Sequence, residues 1–209
     1  MSTTTAHPLR ALRVDHVGSL LRPESLKQAF LDFAGGRLDA AGLATAQDAA
    51  IRDVVDRQQA AGLPVVSDGE YRRLNWQVSF SEVSGWDLWS GSWKGFVASP
   101  DLLLPGEQPL SRGEDAVVSF RAPATARLQL VDNFPLREFR FAHAVAQRPV
   151  KTMLMGPDRV AQMCDIDRSR GVYPDSDAFL ADVVAIQHRM VTELVDAGCP
   201  YVQLDEPSY

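Results

Sequence analysis

The sequence predicts an α/β protein of the (β/α)8 TIM-barrel type, this chain supplying about the first four β/α units plus an inserted β-hairpin region. Three observations carry that expectation. Apolar runs at helical spacing alternate with short apolar runs that suit strands, the order that builds βαβ units around a parallel sheet. One unit recurs: Ala61-Gly62-Leu63-Pro64-Val65-Val66-Ser67-Asp68-Gly69-Glu70 parallels Ala197-Gly198-Cys199-Pro200-Tyr201-Val202-Gln203-Leu204-Asp205-Glu206. Each copy is a helix ending in Ala-Gly, then a proline, a short strand and a pair of acids. Carboxylates just past the C-terminal end of a parallel strand stand on the rim where barrels and open α/β sheets keep their chemistry.

Val14-Asp15-His16-Val17-Gly18-Ser19 opens the chain as a β-like run ending in small residues. Pro23 suits a first helical position, and Leu26, Ala29, Phe30 and Phe33 recur at helical spacing until Gly35-Gly36 stops them. Asp39 caps a second helix carrying Leu43, Ala50, Ile51, Val54, Val55 and Gln58, which ends at Gly62. Pro64-Val65-Val66-Ser67 is the second strand, running into Asp68-Gly69-Glu70.

The character then changes. All four tryptophans fall between Trp76 and Trp93, Val117–Phe120 and Arg127–Val131 suit a hairpin across Pro123, and Leu136–Val145 suits a helix. Residues 74–148 are therefore expected to form an insertion within a single domain spanning 1–209. Val150 to Met155 restores the rhythm as an apolar strand broken by Gly156-Pro157, followed by a short helix over Asp158–Cys164. A long helix from about Asp177 to Ala197 carries Phe179, Val183, Ile186, Met190 and Leu194 on one face, and Tyr201-Val202-Gln203-Leu204 is the last strand. Four core strands result, near 14–18, 64–68, 150–155 and 201–205, where a closed barrel has eight. An open edge of that kind predicts either a missing C-terminal half of the barrel or a homo-oligomer.

Composition narrows the function classes. Hydrophobic residues at 45% and charged residues at 23% belong to a globular chain. The 27 acids against 21 bases leave a formal charge of −6, which argues against a nucleic-acid partner. No run reaches the roughly eighteen apolar residues of a membrane span, and the polar N-terminus lacks an apolar signal core. Only Cys164 and Cys199 occur, too far apart for a Cys-x-x-Cys pair, so a reduced, cytoplasmic setting is expected. Both read as packing residues. No Gly-rich phosphate loop, nucleophile elbow or dinucleotide fingerprint is present.

If the sheet is parallel, His16, Ser19, Glu70 and Asp205 converge as substrate-binding residues at one mouth. Acids grip an ammonium, while a hydroxyl and backbone N–H groups accept a carboxylate, which together suit an amino-acid-like ligand. Each residue also has a plainer reading. Asp68 before Gly69 suits a turn, and Glu70 suits a solvated salt bridge to Arg72 or Arg73. Ser19 suits an N-cap, His16 a structural hydrogen bond, and Asp205-Glu206-Pro207 a strand end and helix start. His188 lies opposite the apolar face of its helix and is expected in solvent, and the tryptophans are expected to pack.

Three segments in order, His16-Val17-Gly18-Ser19-Leu20-Leu21-Arg22-Pro23, Ser67-Asp68-Gly69-Glu70-Tyr71-Arg72-Arg73 and Tyr201-Val202-Gln203-Leu204-Asp205-Glu206-Pro207, resemble the cobalamin-independent methionine synthase family, in particular its short single-barrel relatives. The resemblance implies a (β/α)8 barrel that moves a methyl or alkyl group onto a thiol held by zinc. It implies that Ser19 holds the substrate's amino-acid end and that Glu70 and Asp205 hold the homocysteine ammonium. His16 stands where the short relatives often carry a histidine. A folate methyl donor and a small-molecule thiol or amino-acid substrate would follow. The family's zinc ligands, beginning with a His-x-Cys, lie beyond the Asp-Glu-Pro segment, so zinc is expected for the longer family and not from the ligands of this chain. Two other readings stay open: a uroporphyrinogen decarboxylase-like enzyme gripping a polycarboxylate with Arg22, Arg72 and Arg73, and a non-catalytic half-barrel that oligomerises and binds a small amino-acid-like ligand.

Overall fold

The computed structural model describes residues 12, 14–73, 80, 82–87 and 121–206. Its elements follow in the order α1 (Glu24–Ala34), α2 (Ala40–Ala60), β1 (Glu82–Ser84), β2 (Gln129–Asp132), α3 (Phe134–Val145), β3 (Lys151–Met155), α4 (Pro157–Ala161), α5 (Ser176–Asp196) and β4 (Tyr201–Asp205).

The helices form where periodicity and caps coincide. The Asp39 side chain accepts from Gly42 N at 2.8 Å and starts α2, and Asp175 does the same for α5 through Ala178 N at 2.8 Å. Both helices end alike. In α2 the Gly62 N–H reaches Gln59 O and the Leu63 N–H reaches Gln58 O; in α5 the Gly198 N–H reaches Val195 O and the Cys199 N–H reaches Leu194 O. This paired closure needs a left-handed residue, supplied by Gly62 at φ +79° and Gly198 at φ +85°. The internal echo is thus a repeated stop signal that turns the chain into a strand. Pro23, expected inside the first turn of α1, is instead its N-cap, with extended backbone at ψ 152°.

β3 and β4 pair in parallel, Lys151 opposite Tyr201 and Met155 opposite Asp205. The second expected strand shrinks to one parallel bridge, Val66 with Val150, through Val66 N to Pro149 O at 3.0 Å and Lys151 N to Val66 O at 2.8 Å. Past the bridge the helix takes over: the Gln58 side chain bonds both Ser67 N and Ser67 O, at 2.9 and 2.8 Å, as a neighbouring strand would. The order Val66, β3, β4 keeps all three chain directions parallel.

The first expected strand, 14–18, is a correction: this segment joins no ladder. Its backbone groups are met by side chains instead, His16 N by Asp15 Oδ1 at 2.7 Å and His16 O by the Lys151 ammonium, and Gly18 turns the chain at φ +76°. β2 pairs antiparallel with β1, Ser84 opposite Gln129; of the expected hairpin, Val117–Phe120 lies outside the described residues.

The core lies between the helices and β3, every residue of which is buried. α5 buries Phe179, Val183, Ile186, Met190 and Leu194 as its periodicity predicts, each worth about 1.5–3 kcal/mol of transfer free energy. α3 buries Phe139 and Ala142 in the same cluster, and Asn133 at its N-cap donates to Met190 O at 3.1 Å. Of the tryptophans, Trp86 is described; it packs edge-on against Phe179, ring centroids 5.1 Å apart, and donates to Ala122 O at 2.8 Å. Trp76, Trp89 and Trp93 lie outside the described residues. Among the described residues no helix is long and apolar enough to cross a membrane.

Candidate amino-acid-binding rim

The rim begins where the Val66 bridge ends. Ser67, Asp68 and Glu70 are all buried. Asp68 does form the expected turn: its Oδ1 accepts from Glu70 N at 2.9 Å, and Ser67 Oγ accepts from Gly69 N at 3.2 Å. The turn throws Glu70 into the left-handed region at φ +60°, alone in this respect among the described residues other than glycine. A side chain held there costs about 1–3 kcal/mol and persists only when its surroundings fix it. The surroundings do so here. Ser19 donates its hydroxyl to Glu70 Oε2 at 2.6 Å, Leu20 N donates to Gly69 O at 3.1 Å, and Arg22 donates to Arg73 O at 2.9 Å.

Glu70 is therefore not the solvated salt-bridge partner that the plainer reading allows. It is 4% exposed and meets Arg73 at 3.4 Å from within the protein. Arg73, 2% exposed, also grips Glu138 with Nε and Nη2, the closest contact 2.7 Å, and reaches Met153 O at 2.7 Å, which ties the turn to β3. Two carboxylates, Glu70 and Glu138, thus share one guanidinium, and the buried Asp68 feels its charge without a hydrogen bond to it. Burial outweighs the Arg73 charge and pushes Glu138 up to about 7, and it raises Asp68 as well. A cavity of about 10 Å³, room for about one water, lies among Asp68, Arg73, Glu138 and Thr152, and Asp68 Oδ2 is buried without a hydrogen-bond partner.

His16 approaches the same turn, its Nε2 2.9 Å from Ser67 Oγ. Burial, then the nearby Lys151 charge, lowers its pKa, so the ring is neutral at pH 7. Asp205 ends β4, where its carbonyl accepts from Gly156 N at 2.7 Å and its carboxylate accepts from Gln203 Nε2. Because Val66, β3 and β4 run in parallel, Glu70, Gly156 and Asp205 all follow strand C-terminal ends. Ser19 and Glu70 are directly bonded, and His16 stands beside them. Among the described residues no hydrogen bond joins that pair to Asp205 directly. The Glu206 carboxylate accepts from Asp158 N at 2.9 Å and fills the space over Gly156, where a Cβ would fall 2.1 Å from it.

Sequence reasoning missed two residues that organise this rim. Lys151 is a lone cation in an apolar strand run, and Glu138 is an acid on the buried face of an amphipathic helix. Each is a charge at a position the local pattern reserves for apolar residues, and that conflict was the available signal.

The arginines that could grip a polycarboxylate are engaged internally: Arg22 and Arg73 as above, and Arg72 with Asp48 while lying over the Phe141 ring at 4.6 Å. His188 is exposed, as expected. Among the described residues no three His, Cys, Asp or Glu side chains cluster as a metal site. Cys164 Sγ lies 3.5 Å from Ser169 Oγ and Cys199 Sγ 3.6 Å from Thr152 Oγ1, and burial raises both thiols. This donor set does not fit zinc.

No protein-family model matches the chain. By sequence it is 27% identical over 197 residues to the uncharacterised protein YxjH of Bacillus subtilis, covering 94% of this chain and 48% of that protein. It is 28% identical over 202 residues to a 5-methyltetrahydropteroyltriglutamate–homocysteine methyltransferase of Acidithiobacillus ferrooxidans, covering 96% of this chain and 23% of that enzyme. The chain thus spans about half the length of the first relative and about a quarter of the second. Among solved structures it resembles a protein provisionally assigned as a vitamin-B12-independent methionine synthase of Listeria monocytogenes, at TM-score 0.67 and 24% identity over 93% of this chain and 51% of that one. It also resembles a B12-independent methionine synthase of Shewanella sp. W3-18-1 in complex with selenomethionine, at TM-score 0.62 and 20% identity over 91% of this chain and 50% of that one. The two structures share the α/β fold of this chain.

Proposed function

We propose that this chain, related to the cobalamin-independent methionine synthases over nearly all its length, holds the amino-acid end of a thiol substrate in methyl or alkyl transfer of the methionine synthase type. The observation that carries the reading is the Ser19–Glu70 pair, a buried carboxylate at φ +60° set beside parallel strand ends that also bear Asp205. A cation fits what is placed there. Glu70 and Asp205 would each accept from the substrate ammonium, and Ser19, which donates to Glu70 in this state, would turn its hydroxyl to the substrate carboxylate as the ammonium arrives. A neutral His16 adds no competing charge. The selenomethionine held by the Shewanella protein is an amino acid of the class this rim would take. A folate methyl donor and homocysteine as acceptor follow from the same relationship.

Isothermal titration with L-methionine and L-homocysteine tests the reading. Glu70→Gln and Asp205→Asn should each weaken binding about 10- to 100-fold, the worth of a charge-assisted hydrogen bond, while His188→Ala binds as the parent does. Equal affinities in the parent and both carboxylate variants would overturn it.

A further inference from the structure

Lys151 is the most deeply buried cation of the described residues, its side chain fully enclosed beside Asp15. A buried ammonium is tolerated only when its charge and all three of its donors are met. Here they are: Nζ donates to Asp15 Oδ1 at 2.8 Å, to the His16 carbonyl, and to Gln203 Oε1 at 2.9 Å. Asp15 is held from its other side by the Tyr201 hydroxyl at 2.7 Å. These hydrogen bonds drop Asp15 below the usual carboxylate range although burial opposes them.

Two consequences meet at this one atom. The segment 14–19, which belongs to no ladder, is anchored to β3 and β4 through Asp15 and the His16 carbonyl. The ammonium also sets the Gln203 amide. It has no acceptor, so only Oε1 can face it, and Nε2 is thereby turned to Asp205, to which it donates. One side of the rim, His16 and Ser19, and the other, Asp205, are fixed by the same charge.

We propose that Lys151 is the positioning residue of the rim: it pins the 14–19 segment and, through Gln203, aims the Asp205 carboxylate, without itself touching substrate. The proposal rests on the amino-acid reading for its ligand but not for its tether, and the experiment separates the two. Hydrogen exchange is followed by mass spectrometry, and binding is titrated with L-methionine and its des-amino analogue 4-(methylthio)butanoate. In Lys151→Met, exchange through 14–22 should quicken at least tenfold while α5 keeps its parental protection. The preference for L-methionine over the analogue should narrow about tenfold. A general loss of packing would weaken both ligands alike and leave that ratio unmoved. Gln203→Met should narrow the ratio without quickening 14–22. If Lys151→Met loses protection in α5, Asp15→Asn replaces it for the tether, since it removes the charge Lys151 grips, and quickened exchange is again expected, while Gln203→Met alone then reads the ratio. Unchanged exchange in 14–22, or an unchanged ratio, overturns the proposal. A parent protein that binds no methionine defeats the amino-acid reading instead, and the exchange result alone then decides the tether.

Discussion

Glu138 shows how little local pattern says about a buried charge. Its carboxylate is gripped by Arg73, yet Asp68 and Glu70 draw on the same guanidinium, and burial lifts it from an ordinary 4.5 to about 7. The folded protein therefore binds more protons than the unfolded chain between those two values, and stability falls as pH rises through that window and is level above it. Glu138→Gln abolishes the uptake, so the variant's stability relative to the parent should climb from pH 5 to 7.5 by an amount on the order of 1–3 kcal/mol. Urea midpoints at the two pH values check this; parallel shifts would contradict it. Asp15, lowered rather than raised, is common to both proteins and cancels in the comparison. Removing the cation is more severe. Arg73→Met leaves the Glu70 and Glu138 carboxylates without their cation and should cost about 3–5 kcal/mol in the same measurement.

α5 was legible because two signals agreed, five apolar residues on one face and a glycine stop, while its Asp175 cap went unread. Asp175→Ala should cost about 1 kcal/mol and Gly198→Ala, which places a Cβ at φ +85°, about 1–2 kcal/mol. For a chain of this size that lowers Tm by about 2–4 °C per kcal/mol, and a calorimetric scan measures it. The segment 14–18 was misread for the opposite reason. Val14 and Val17 look like a strand, but both side chains face solvent, 58% and 74% exposed, and the backbone is held by Asp15 and Lys151. Bonds between residues 135 positions apart leave no periodicity to read. The 64–68 run was recognised as β-like, yet Gln58 of α2 serves as its neighbour beyond Val66. β2 and α3 were visible from their own apolar residues, whereas the β1 partner of β2 was not, since three residues, Glu82–Ser84, are too short to signal a strand.

The fold and the rim were legible to different depths. Repetition of Ala-Gly, proline, strand and acids carried the α/β architecture, and the shared fold of two methionine synthase structures agrees with it. The acids after the strands were readable because they recur at the same place in that repeat. Their support was not, because it is assembled from the 14–22, 67–73, 151–155 and 201–206 segments largely by side chains. Tyr201 and Asp15, which close that support, are 186 positions apart. The central claim is that the ammonium of an amino acid rests between Glu70 and Asp205. A crystal structure of the protein grown with selenomethionine tests it most directly, since the selenium signal locates the ligand independently. We predict the ligand nitrogen within about 3 Å of a carboxylate oxygen of each residue, with the Ser19 hydroxyl turned to its carboxylate. A selenium peak that places the amino acid away from both carboxylates would contradict the account.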